Sequence, residues 1–189
     1  MASLEPPDSH VLSAAVGWFE LGNIEEAEIE IKRLSRSGGR HPDVLEFIWQ
    51  LQSSREDWIA AAATAKSLKK IAPDRPQAWI HHSYALRRAE GGGLKASWKA
   101  LLPAYEKFPG EPVIPYNLAC YACQMNRLED AREWLGKALK IEETQTIRTF
   151  ALLTENLKSH MLKNRENSIK NMALQDEDLK PLWKEIKKL

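Results

Sequence analysis

Between Tyr116 and Ile141, apolar residues fall at helical spacing on both sides of Asn126-Arg127: Leu118 and Ala119 before it, and Leu128, Ala131, Leu135 and Ala138 after it. This predicts two amphipathic helices joined by a tight turn at Asn126 and Arg127. The same pattern recurs upstream. Ala131 has counterparts at Ser97, Ala61 and Ala27, in steps of 34, 36 and 34 residues. Ile24, Trp58, Leu94 and Leu128 keep those steps at the start of each second helix, and the columns Ile31, Ala65, Leu101, Leu135 and Leu34, Leu68, Ala104, Ala138 follow one helical face further on. Pro42, Pro76 and Pro112 open successive units, where a missing amide proton does least harm. The predicted units are 8–41, 42–75, 76–111 and 112–144, after a flexible segment 1–7 and before a helical cap over 145–189.

A helix-turn-helix unit recurring at 34 residues, with small residues where helices cross and prolines between units, resembles the tetratricopeptide repeat family. The resemblance covers roughly Asp8 to Ile141 and is clearest in the fourth unit, at Leu118, Ala119, Leu128, Ala131, Leu135 and Ala138. Leu45, Ile48, Ala61, Leu68 and Pro73 carry it in the second unit, and Trp79, Ala104 and Pro109 in the third. The first unit keeps Ala15, Trp18, Gly22, Ala27 and Leu34 but closes with Ser37-Gly38-Gly39. The implied fold is all-α, a right-handed α-α superhelix of four such units with a helical C-terminal cap.

Departures from the pattern carry expectations of their own. Trp49 stands where a small residue is usual and Gln52 where a large apolar one is, so local repacking is expected there. Gly91-Gly92-Gly93 lengthens the turn of the third unit and reads as a mobile loop. Pro103, inside a predicted helix, removes one backbone bond and predicts a kink.

Helices of about 14 residues are marginal alone in water, so the units stand by burying their apolar stripes against neighbours, and the ends need caps. Ile147, Phe150, Ala151, Leu157 and Met161 are spaced as a helix that can lie on the last repeat, broken by the polar run from Asn164. The tail from Ala173 places acidic capping residues before a short helix with Pro181 in its first turn and Leu179, Leu182, Trp183 and Ile186 as its apolar side. Its Asp-x-Asp-Leu-x-Pro-Leu-Trp run resembles tails that follow bacterial tetratricopeptide domains, and its expected role is to close the array.

Composition narrows the function. With 27 basic and 26 acidic residues in 189, the net charge of +1 provides no global field toward nucleic acid or an anionic membrane. The lysines Lys180, Lys184, Lys187 and Lys188 are interspersed with acids and read as a solvated helix face. No apolar run approaches the roughly 18 residues of a membrane span, and Met1 to His10 has no targeting character, so a cytoplasmic protein is expected. The seven tryptophans read as packing residues.

Within the resembled family, the first helices of successive units line a concave groove that binds a peptide. On this chain the groove face would carry Leu12, Val16, Phe19, Glu46, Gln50, Ile80, Tyr84, Arg87, Arg88, Tyr116, Cys120, Cys123 and Gln124. Tyr84 and Tyr116 offer apolar area with a polar tip, and Arg87 and Arg88 planar donors suited to a carboxylate. Leu12 and Val16 occupy the face where one branch of the family grips a C-terminal carboxylate with a Lys and Asn pair, so that clamp is not expected here. Cys120-x-x-Cys123 sits mid-helix, away from the N-terminus that would stabilise a thiolate, and only His81 and His82 could complete a zinc site. Gly91-Gly92-Gly93 lacks the context of a phosphate loop.

The expected function is a non-enzymatic adaptor that holds another protein or peptide, without cofactor, metal, nucleic acid or membrane, as a monomer or weak homo-oligomer. Two alternatives are a chaperone for an aggregation-prone client and a thiol or metal protein using Cys120 and Cys123.

Overall fold

A computed structural model describes residues 3–152 and 168–188, with side chains from 150 to 152 left aside. The expected helix positions Leu157 and Met161 and the polar run from Asn164 lie outside what is described, as do the side chains of Phe150 and Ala151, whose backbone is helical. The described residues are helical, with no strand among them. They divide into two compact units, Met1–Ser97 and Trp98–Leu189.

The first unit contains α1 (Asp8–Glu20), α2 (Ile24–Ile31), a 3-10 turn (Gly38–Arg40), α3 (Pro42–Ser54), α4 (Trp58–Ile71), α5 (Pro76–Arg88) and the start of α6 (Leu94–Lys107). Local chemistry sets the boundaries. Asn23 and Asp57 cap α2 and α4 by accepting from the amides of Glu26 and Ala60, at 3.2 and 3.1 Å. Pro42 and Pro76 stand in the first turns of α3 and α5. The helix pairs turn by one recurring device, in which the amides of Asn23, Asp57 and Arg127 donate to the carbonyls of Trp18, Gln52 and Ala122, five residues back. This requires a left-handed residue just before the donor, supplied by Gly22, Glu56 and Asn126 with φ of 78°, 57° and 60°.

The third turn solves the same problem with glycine alone. Gly91 and Gly93 adopt φ of 75° and 103°, the Gly93 amide donates to the Leu86 carbonyl at 3.0 Å, and a Cβ on Gly92 would lie 1.9 Å from that carbonyl oxygen. These glycines close a specific hydrogen-bonded turn, in which a side chain at Gly92 would clash and Gly91 and Gly93 supply the positive φ.

The core follows the repeat columns. Ala27, Ala61, Ser97 and Ala131 are fully buried, as are Ala65, Leu101, Leu68, Ala104 and Ala138. The Ser97 hydroxyl avoids an unmet donor by bonding the Gly93 carbonyl at 3.1 Å. In the first unit, Ala15, Ala27, Phe47 and Leu51 form one cluster, and Trp49, Ala61, Ala65 and Ala85 another. Helix α2 stops at Ile31, earlier than its counterparts. The chain beyond it is tied to the start of α1, where the Asp8 carboxylate accepts from the amide and hydroxyl of Ser35 at 2.8 and 2.5 Å. A Cβ on Gly38 would collide with that same carboxylate.

The second unit contains the rest of α6, then α7 (Val113–Gln124), α8 (Leu128–Leu152), α9 (Ile169–Gln175), a 3-10 stretch (Glu177–Leu182) and α10 (Trp183–Ile186). Pro103 lies inside α6, which continues to Lys107. Helix α8 runs for 25 residues without a break near 144. Trp134 receives the ring edges of Trp98 and Tyr105 at 5.9 and 4.9 Å. In the tail, Leu179, Leu182 and Ile186 are buried, and the Trp183 indole donates to the Ala173 carbonyl at 2.9 Å.

Candidate functional site

The predicted groove residues fall into three settings. Leu12, Val16 and Phe19 are half-buried and pack on the cluster of Ala15, Ala27, Phe47 and Leu51, with the Phe19 and Phe47 rings edge to face at 5.7 Å. Their apolar area is largely engaged within the unit.

The second setting surrounds α5. Its helical spacing carries Ile80, Tyr84, Arg87 and Arg88 on one face. The Tyr84 ring meets the edges of Trp49 and Trp58 at 6.1 and 5.9 Å. Over it lies the exposed guanidinium of Arg88, 3.6 Å from the Tyr84 centroid and 5.2 Å from that of Trp58, with one N–H donating to the Tyr84 carbonyl at 3.2 Å. The two ring contacts and this hydrogen bond hold the guanidinium of Arg88 in place while the residue stays exposed.

Beside α5, Trp49 lies flat on the His81 ring, with centroids 3.8 Å apart. Glu46 is 3.3 Å from Arg75 and 3.9 Å from His81, and Arg75 also meets Asp43 at 2.6 Å. Glu46 is therefore paired with Arg75, and its carboxyl is held below the usual range by His81 first and by Arg75, against the opposing effect of burial. Gln50 is exposed. Buried polar atoms gather nearby: among the described residues, Trp49 Nε1, Gln52 Oε1, His81 Nε2 and His82 Nδ1 have no hydrogen-bond partner. Burial, reinforced by Lys69 and Lys66, pushes His82 down to about 4.

The third setting is α7. Tyr116, Cys120 and Cys123 are buried, because the chain's own tail lies on their face. The Tyr116 hydroxyl donates to Asp176 Oδ2 at 2.7 Å, the Cys120 thiol reaches the same oxygen at 3.5 Å, and the Gln124 amide donates to the Asp178 carbonyl at 3.0 Å. Arg132 of α8 grips Glu185 with two N–H groups at 2.7 and 2.9 Å. Burial, then Cys120 and Asp176, raises the Tyr116 phenol, and burial, then Asp178, raises the Cys123 thiol. Both cysteines are free thiols, and the direction for Cys123 disfavours the thiolate that redox chemistry uses.

Cys120, Asp176 and Asp178 place one ligand atom each within 4.8 Å of one another. The set fits a metal poorly. Asp176 already accepts from Tyr116 with one oxygen and from the Asp178 amide, at 2.9 Å, with the other.

Sequence spacing predicts neither the tail's placement on α7 nor the Trp49–His81 stack. It marks Trp49 only as a misfit, and nothing in the spacing of Asp176 and Asp178 points to Tyr116, 60 residues away.

Hairpins with recurring left-handed turns and small residues at their crossings define the class of fold, and solved structures bear it out. The MamA RS-1 ArsTM double mutant matches with a TM-score of 0.63 at 14% identity, over 74% of this chain and 77% of that one. TTC0263, a thermophilic TPR protein in Thermus thermophilus, matches with a TM-score of 0.62 at 18% identity, over 96% of this chain and all of the other, 100%. No protein-family model and no curated protein matches the sequence. The chain has a tetratricopeptide-like fold. No described helix is long and apolar enough to cross a membrane.

Proposed function

We propose that the chain is a non-enzymatic protein-interaction module that holds a peptide segment of a partner against the first-helix faces of its repeats, with α5 as the principal contact. The observation that carries this reading is Arg88, exposed and placed over the rings of Tyr84 and Trp58. An ordered guanidinium loses little side-chain freedom on binding, and planar acceptors such as carboxylates suit it. Affinity capture from a native cell extract tests the reading. Arg87→Ala and Tyr84→Ala chains should retain severalfold less of the partner than the natural chain, and equal capture would sink it.

A second reading, a holdase for an aggregation-prone client, draws on the exposure of Leu21, Trp18 and Ile29 in the first helix pair, at 78%, 38% and 49%. Suppression of client aggregation, lost in Trp18→Ser/Leu21→Ser, would favour it.

A further inference from the structure

The first helix pair buries one side and leaves its other side apolar. Ala15 of α1 and Ala27 of α2 share a cluster with Phe47 and Leu51 of α3, and Leu12, Phe19, Ile24 and Ile31 pack against it. Helical spacing turns Ala14 and Leu21 of α1 and Ile29 of α2 away from that cluster, with Trp18 at their edge. All four are exposed, Leu21 at 78%. A repeat that meets water at the end of an array has a polar outer face, and this one does not. In the second unit the corresponding need is met by the tail, which buries Leu179, Leu182 and Ile186.

The charges around Ile29 indicate what covers it. Glu25 and Glu26 lie one turn before Ile29, and Lys32 and Arg33 one turn after it, all on its side of the helix. This order of acid, apolar residue and base is complementary to itself. A second copy laid antiparallel, about a two-fold axis at Ile29, brings Glu26 of each copy to Lys32 of the other and Glu25 to Arg33, because the members of each pair are equally distant from Ile29. Antiparallel helix dipoles favour the same arrangement. Among the described residues, Glu26 and Lys32 have no ion pair within their own chain. Arg33 meets Glu30 at 2.8 Å and Glu25 meets Arg55 at 3.4 Å, yet their side chains are 65% and 76% exposed and remain open to a further partner. A uniformly acidic or uniformly basic partner would instead meet like charge at one end of the stripe.

From these observations we infer that two copies of the chain associate through the outer face of their first helix pairs, with Ile29 on the two-fold axis and Trp18 and Leu21 adding apolar area on either side. The inference goes beyond the proposed peptide contact at α5 and does not depend on it.

The test is sedimentation equilibrium on the full chain between about 1 and about 100 μM, where a weak dimer forms. The natural chain should approach twice its own mass as concentration rises. Ile29→Glu should weaken association about a hundredfold, and Glu26→Lys or Lys32→Glu about tenfold each, since every substitution acts twice across the axis. Mixing the Glu26→Lys chain with the Lys32→Glu chain should restore association, because each base then meets an acid of the other copy. Circular dichroism establishes that each variant remains folded. A single mass at every concentration would leave this face to a client protein or to residues 153–167, and overturns the inference. Association indifferent to Ile29→Glu or to the charge reversals also overturns it, as does a mixture that associates no better than its two components. Capture of a peptide partner through Arg87 and Tyr84 is read separately and is moved by none of these outcomes.

Discussion

Glu56 occupies a left-handed position, φ 57°, at which two of its counterparts are Gly22 and Asn126. A Cβ in this region crowds the following carbonyl, a strain of about 1–2 kcal/mol that glycine avoids, offset in part by about 0.5–1 kcal/mol of extra backbone entropy in the unfolded chain. The side chain is exposed. Glu56→Gly is therefore expected to stabilise the protein, raising the melting temperature by about 1–2 °C in a thermal unfolding scan. A lowered melting temperature would show that the turn depends on the glutamate. Gly22 and Asn126 are residues whose preference for this conformation is readable from sequence. Glu56 is not, and its conformation is imposed by the helices on either side of the turn.

At the scale of elements, the tail is an integral part of the second unit. Leu182 is 1% exposed and Leu179 fully buried, so removing either side chain opens a cavity. Leu182→Ala should destabilise by about 2–5 kcal/mol. Deleting Asp176 to Leu189 should lower the melting temperature further and expose Tyr116, Cys120 and Cys123, measurable as faster reaction of the thiols with a maleimide. An unchanged melting curve and thiol rate would show that the tail does not close the repeat. The amphipathic pattern of Leu179, Leu182 and Ile186 already marks this segment as one that must bury a face. Which face it covers depends on contacts such as Tyr116 to Asp176, with no local signature. The tail also forms a 3-10 stretch through Pro181 before a single α-turn, where spacing alone suggests one short helix.

For the whole molecule, stability should fall with acidification in a defined interval. The folded chain holds His82 at about 4 instead of the usual 6.5, because burial first, and then Lys69 and Lys66, disfavour the cation. Between those values the unfolded state binds more protons than the folded state, so stability present above 6.5 is lost as pH falls toward 4. Glu46, held below its ordinary range, adds a loss in the same direction at lower pH as its pairing with His81 and Arg75 is titrated away. Melting temperature followed across this interval should decline, and His82→Gln should flatten the decline; an equal slope in the variant would assign the effect to other groups.

By itself the sequence determined the number and phase of the helix pairs, their proline starts and the small residues at their crossings. These depend on helical periodicity and on contacts between neighbours in the chain, both of which leave a regular imprint every 34 or 36 residues. It also placed Tyr84 and Arg88 on one side of α5, since positions four apart share a helical face. Tertiary structure alone decided that Arg88 stacks on Tyr84 and Trp58, that Trp49 takes His81 as its partner, and that the equivalent face of α7 is occupied by the chain's own tail. Those contacts join residues with no periodic relation, and only the packed chain brings them together.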